Sequence, residues 1–225
     1  SLYNSLALEL LENGCSGLAP FGTTGEALSL SSAERMAALE GLIDAGIHPE
    51  VIIPGTGLCN LPETIEISRH AVELGCAGVM TLPPFYFKAL GDDGYFEYFE
   101  KLIEGIDNNA LKIYLYHIPQ VSGVGLSIEL VKRLRAAYPQ TIVGIKDSSG
   151  NWENTAQLLD IDGVIVYPGS ELCVIESIQR GGPGCISATA NLNSGDISRV
   201  IELCHNAEWE EAEKLQEDVR AVRLL

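Results

Sequence analysis

The sequence is short of positive charge, of paired cysteines and of any apolar run long enough to cross a bilayer. Fourteen Lys and Arg stand against 31 Asp and Glu, a net charge of −17 that argues against binding nucleic acid or an anionic membrane surface. The six cysteines (Cys15, Cys59, Cys76, Cys173, Cys185, Cys204) form no C-x-x-C pair and sit mostly within apolar segments. They read as small buried hydrophobes in a reducing compartment, not as a disulfide framework or a metal site. No stretch approaches the ~20 residues of a membrane span. No signal-peptide pattern opens the sequence, so a cytoplasmic protein is expected. His48, His70, His117 and His205 are isolated, which disfavours the clustered ligands of a metal-dependent aldolase. Neither a dinucleotide fingerprint nor a P-loop is present, and Gly181-Gly182-Pro183-Gly184 reads as a tight turn. An interdomain linker and low-complexity segments are missing as well.

What remains is an alternation of apolar strands and amphipathic helices in 225 residues that are 46% hydrophobic. Leu2, Leu6 and Leu10 predict an opening helix that stops at Asn13-Gly14. Strands are expected at Gly17–Phe21, Val51–Pro54, Gly78–Leu82, Lys112–Tyr116, Ile142–Lys146, Val164–Tyr167 and Gly184–Ser187. Ser31-x-x-Glu34 and Asn60-x-x-Glu63 have the form of capping boxes, with Pro62 in the first turn of the second. Tyr95, Phe96, Phe99, Leu102, Ile103 and Ile106 give a further helix a broad apolar face. Seven strands each followed by a helix, with a helix before the first, predict an α/β fold: a (β/α)8 TIM barrel lacking its first strand. A doubly wound open sheet is the alternative. Residues 1–207 are expected to form that barrel. Residues 208–225 begin a C-terminal helical region, in which Trp209, Ala212, Leu215, Val219 and Val222 make a stripe among exposed glutamates. The complete protein is expected to extend at both ends.

In a barrel the chemistry gathers at the C-terminal ends of the strands. Val143-Gly144-Ile145-Lys146-Asp147 places a lysine at such an end. Burial there disfavours the ammonium and favours the nucleophilic amine, so Lys146 is a candidate Schiff-base residue, or else a strand-end lysine reaching for water. Among the six lysines it alone holds such a position; Lys112 stands at the opposite end of its strand. Gly22-Thr23-Thr24-Gly25 can form an anion-binding nest beside two hydroxyls, or an ordinary turn. Pro83-Pro84-Phe85-Tyr86-Phe87 is a stiff loop. Its phenylalanines suit core packing, and the Tyr86 hydroxyl needs a partner.

Taken in order and spacing, Gly22-Thr-Thr-Gly-Glu26, Gly55-Thr-Gly57, Pro84-Phe-Tyr86, Tyr116-His-Ile-Pro119 and Gly144-Ile-Lys-Asp147 resemble the dihydrodipicolinate synthase / N-acetylneuraminate lyase family. The resemblance runs through essentially the whole sequence. It implies a pyruvate-dependent class I aldolase or lyase on a (β/α)8 barrel, working without metal or organic cofactor. Lys146 would form the imine with pyruvate, Tyr116 would move protons, and Thr23 and Tyr86 would be its relay partners. Thr24 would hold the pyruvate carboxylate, while Gly169 and Ile186 would let the ligand approach the backbone. In the resembling proteins the tyrosine at the position of Tyr86 crosses a dimer interface, so a dimer or a dimer of dimers is implied.

Two departures bear on the substrate. Dihydrodipicolinate synthases carry a carboxylate-binding arginine five residues after the catalytic tyrosine; here that residue is Val121. The lyases have an apolar residue there followed by Ser-Gly, as in Val121-Ser122-Gly123. That similarity favours a lyase or keto-acid aldolase acting on pyruvate and an aldehyde or 2-keto acid, with Glu171 as a polyol contact. A dihydrodipicolinate synthase and a non-catalytic pyruvate-binding homologue stay open. His117 replaces a common asparagine and reads as a structural imidazole ahead of a substrate contact or pH sensor.

Overall fold

The computed structural model describes residues 1–224; Leu225, the end of the expected helical region, lies outside them. Four strands form its regular sheet: β1 (Val79–Thr81), β2 (Ile113–His117), β3 (Ile142–Asp147) and β4 (Ile165–Pro168). They lie side by side in chain order, and every pairing is parallel. Such strands need both faces covered, and the residues at their centres are apolar and fully buried: Val79, Ile113, Leu115, Ile142 and Ile145.

The parallel arrangement continues beyond this sheet. Leu18 bridges Ile52, Gly55 bridges Met80, and the Ile186 amide donates to the Pro168 carbonyl at 3.0 Å. The segments expected as strands at Gly17–Phe21, Val51–Pro54 and Gly184–Ser187 therefore occupy strand positions without becoming regular strands. Pro20, Pro54 and Pro183 withhold amide donors there, and Gly184 has φ 150°. Gly55 fits because it has no Cβ; one would lie 2.0 Å from the Phe21 carbonyl oxygen.

Helices surround these segments: α1 (Leu2–Glu12), α2 (Ser32–Asp44), α3 (Leu61–Glu73), α4 (Gly91–Ile106), α6 (Ile128–Ala137), α7 (Trp152–Leu159), α8 (Val174–Gln179) and α9 (Ala190–His205). Each touches the next, from α1 through α9, and α1 returns to α9, so the outer layer closes on itself. A short α5 (Pro119–Ser122) interrupts the loop after β2, and α10 (Trp209–Arg223) packs on α9. This is the (β/α)8 barrel architecture. Among the described residues no helix is long and apolar enough to cross a membrane.

Local sequence explains the helix starts. Ser31 and Glu34 form the full reciprocal capping box of α2. At α3 only half of the expected box forms. Asn60 accepts from the Glu63 amide at 2.8 Å, but the Glu63 carboxylate turns to the Ser32 hydroxyl at 3.1 Å and ties α3 to α2. The apolar face of α4 is buried as its spacing predicts, through Tyr95, Phe99, Leu102 and Ile106. α1 departs from expectation: Leu2 is 91% and Leu6 41% exposed, because the helix packs inward through Ala7 and Leu11 instead. On α10, Ala212, Leu215 and Val219 join a second apolar cluster with Val174, Ile197 and Val200, leaving the glutamates in solvent.

Candidate active site

Parallel pairing of β2 with β3 sets Tyr116 beside Lys146. The Lys146 Nζ lies 4.7 Å from the centre of the Tyr116 ring, close enough for a cation–π contact. Burial is the largest influence on this amine and holds its pKa below the ordinary 10.5; Tyr116 and the Cys185 thiol oppose the shift without reversing it. A lysine so placed carries a larger neutral fraction than a solvated one.

Tyr116 is 4% exposed, and its hydroxyl shares a 3.2 Å hydrogen bond with the Thr23 Oγ1, across 93 residues of sequence. Thr23 sits in a turn that begins on strained backbone, since Phe21 has φ 60° and Glu26 φ 48°. Among the described residues, the amides of Thr23, Thr24 and Gly25 donate to no carbonyl of the chain. Three free N–H groups beside two hydroxyls can receive a carboxylate.

The turn is held from below by a residue the sequence reading did not pick out. Arg35 is 3% exposed, and its Nε and Nη2 both donate to the Ala27 carbonyl, at 3.0 and 2.6 Å. Its signal was legible: Arg35, Leu39 and Leu42 share the buried stripe of α2, an unusual place for a cation. Asp147 was likewise passed over except as part of a motif. Its carboxylate accepts from the Ser149 amide at 2.9 Å, Asn154 Nδ2 at 3.0 Å and Thr155 Oγ1 at 2.7 Å. Those bonds pin the chain directly after Lys146 to the start of α7.

A cavity of about 280 Å³ opens against Tyr116 and Thr23. Leu28, Met80, Leu82, Phe85, Ile118 and Val121 line it together with Gly22, Ser29, Gly55, Gly57 and Ser122, and Glu26 is the one charged residue among the described residues lining it. Val121 is 62% exposed on α5, with no cation in its place.

Several expected residues lie elsewhere. Tyr86 is 75% exposed and meets Phe87 edge-on, with ring centres 5.6 Å apart, outside the cavity of its own chain. Phe87 is itself 50% exposed, so only Phe85 packs against the core as expected. Glu171 is fully buried, and its Oε2 accepts from Ser187 and, at 3.2 Å, from Arg223 on α10. The Gln216 amide takes its backbone carbonyl at 3.0 Å. These bonds, through Oε2 and the backbone carbonyl, secure α10 to the barrel, while Oε1 is buried without a hydrogen-bond partner among the described residues. Gly169 has a packing reason for lacking a side chain, because a Cβ would lie 2.0 Å from the Ser148 Oγ. Ile186 is partly buried one segment away from β4, and Ile186, Gly169, Thr24 and Lys146 all lie outside the cavity lining.

His117 is 7% exposed, and its Nδ1 accepts from the Leu126 amide at 2.9 Å. That bond requires the neutral ring with its proton on Nε2. Burial lowers the imidazole pKa below 6.5, opposed by Asp147. A group whose folded pKa is depressed contributes stability that is full above its unfolded value and lost as pH falls through the folded one. Thermal unfolding should therefore show stability falling as pH drops below 6.5, with a weaker fall in His117→Asn. Equal pH dependence in both proteins would remove His117 from this role.

The parallel α/β barrel thus aligns a desolvated lysine, a buried tyrosine and a threonine at its strand ends, where barrel proteins carry their sites. Residues 1–223 match the model of the dihydrodipicolinate synthetase family, and the chain belongs to that family. It is 36% identical to a DapA-like lyase of Chloroflexus aurantiacus over 81% of this chain, and spans 60% of that relative's length. A dihydrodipicolinate synthase structure from Agrobacterium tumefaciens is 38% identical, with a TM-score of 0.83 over 87% of this chain and 68% of that one. The Escherichia coli protein YagE, solved in complex with pyruvate, is 26% identical with a TM-score of 0.88 over 95% of this chain and 72% of its own.

Proposed function

We propose that the protein is a class I aldolase or lyase that makes or breaks a carbon–carbon bond next to an enzyme-bound pyruvate. One observation carries this reading: the line from the Lys146 amine across the Tyr116 ring to the Thr23 hydroxyl, beside a turn with three free amides. The neutral amine adds to the pyruvate carbonyl and water leaves, giving an imine. The imine withdraws electrons from the methyl group, which loses a proton to give an enamine. The enamine carbon attacks an aldehyde, one C–C bond forms, and the aldehyde oxygen takes a proton from the Tyr116 hydroxyl. Water then releases a 4-hydroxy-2-keto acid and returns the amine; nothing is oxidised or reduced. Thr23 passes protons to and from Tyr116, so the phenol need not act alone as a base. The pyruvate carboxylate rests on the amides of the turn that carries Thr24.

Val121 favours the keto-acid aldolase branch over dihydrodipicolinate synthesis. The named Agrobacterium relative supports the second reading. Without a cation at Val121, an aldehyde bearing a carboxylate forfeits a charged hydrogen bond, a loss of about tenfold to a hundredfold. Screening 4-hydroxy-2-keto acids for pyruvate release, with aspartate semialdehyde run in the condensation direction, tests the choice. Turnover with the semialdehyde should be the lower by that factor, and efficient condensation would reverse the assignment.

Tyr86 completes the relay only from a second copy of the chain, since it projects away from its own cavity. The active species is accordingly a dimer or a higher even assembly. Lys146→Ala and Tyr86→Ala, each inactive or slow alone, should regain activity when mixed, because the mixed pair contains one complete site. A fully active monomer in sedimentation would refute the shared relay.

A further inference from the structure

We infer that the second half of the site takes an uncharged, apolar aldehyde in preference to a carboxylated one; this rests on the pyruvate-aldolase reading above. The cavity that opens from Tyr116 and Thr23 is where the attacked carbonyl must lie, because Tyr116 protonates its oxygen. Aliphatic and aromatic side chains line much of it, from Met80 and Leu82 at the end of β1 to Ile118 and Val121 beyond β2, beside Thr23, Glu26, Ser29 and Ser122. At about 280 Å³ it falls just below the roughly 300–1,000 Å³ usual for small-molecule sites, so it suits a short chain or a single ring.

The charged groups near it and the Ser122 hydroxyl are committed or of the wrong sign for a carboxylate. Glu26, the charged residue of the lining, carries the same charge as a ligand carboxylate. The nearby ammonium, Lys88, donates to the carbonyls of Phe85 and Ser122, both on the cavity wall. It would have to abandon both to grip an anion. The Ser122 hydroxyl donates to the Ile118 carbonyl at 2.9 Å and the Val124 carbonyl at 2.7 Å, and it accepts from the Val124 amide. Each methylene carried into this cavity gains from leaving water, whereas among the described residues a carboxylate meets no free cation there.

The test is a set of condensation rates at saturating pyruvate with propanal, butanal, pentanal, hexanal, benzaldehyde, glyceraldehyde and aspartate semialdehyde. Borohydride trapping of pyruvate is run on the same protein. The kcat/KM should rise about fourfold per added methylene until the cavity is full, which is 0.8 kcal/mol per CH2 expressed as a ratio. Benzaldehyde should exceed aspartate semialdehyde by at least about tenfold. Formation of the pyruvate adduct together with a flat or falling series, or with preference for glyceraldehyde, would overturn this inference and leave the Schiff-base reading standing. Preference for the semialdehyde, abolished in Lys88→Met, would overturn it in favour of Lys88 as a carboxylate ligand. Failure of the adduct to form would remove both. Val121→Arg should move the preference toward the semialdehyde, and an unchanged profile would show that Val121 does not face the acceptor.

Discussion

Lys146→Ala should lower turnover by about 10⁴–10⁶-fold, the scale on which removal of a covalent nucleophile is felt. The amine is the one group in the site able to form the imine, and none of the other mapped hydroxyls can replace it as an electron sink. Folding should survive the change. Burial already disfavours the Lys146 ammonium, so a smaller apolar side chain removes a desolvation cost while giving up the cation–π contact with Tyr116. Unfolding curves that superimpose on the wild type would separate lost chemistry from lost structure. The pH profile follows the same logic. The reactive form is the neutral amine, so the rate of imine formation should climb with pH and level off at a midpoint below 10.5, the direction in which burial moves this lysine. Lys146→Arg, which keeps the charge and has no neutral form at accessible pH, should be as inactive as the alanine variant. Appreciable turnover in either variant would mean that another group carries the covalent step.

Tyr116→Phe should reduce kcat by about 10²–10⁴-fold, the usual contribution of a positioned acid–base group. The substitution leaves the ring, and so leaves the surface over which the Lys146 amine sits 4.7 Å from its centre. It removes the hydroxyl that shares the 3.2 Å bond with Thr23. The loss should therefore appear mainly in kcat, with pyruvate KM changed little. Thr23→Val should fall in the same parameter by a smaller factor, because Tyr116 keeps its place and loses only its proton partner. In the double variant the two effects should be far from additive, since both residues act on one proton. Steady-state kinetics of the three variants decide this. A Tyr116→Phe protein with wild-type kcat would take the tyrosine out of proton transfer.

Much of this site could be read from the sequence because each group follows a strand on a short leash. Tyr116 and Lys146 end apolar runs, and parallel register then makes them neighbours. Thr23 was legible for a similar reason, as part of a glycine-bounded turn. The readings that failed depend on packing partners far away in sequence. Glu171 looked like a free carboxylate after β4, yet Arg223 is 52 residues further on and meets it only once α10 has docked. The leucines of α1 carry a helical period, but which face turns inward is set by α2 and α9. Gly169 also makes a close approach to Ser148 that its own sequence neighbourhood does not announce. Arg35 bonds a backbone carbonyl, and Asp147 bonds one backbone amide and the side chains of Asn154 and Thr155; both support residues already recognised. The weak outer segments near Leu18, Ile52 and Ile186 keep their strand positions, because prolines removed hydrogen bonds without changing the order of elements.

The central claim is that Lys146 joins covalently to pyruvate. Protein incubated with pyruvate and borohydride, digested and examined by mass spectrometry, should carry one reduced pyruvate, attached to the peptide containing Lys146 and missing from Lys146→Ala. No adduct in the wild-type protein, or an equal adduct in Lys146→Ala, would contradict it.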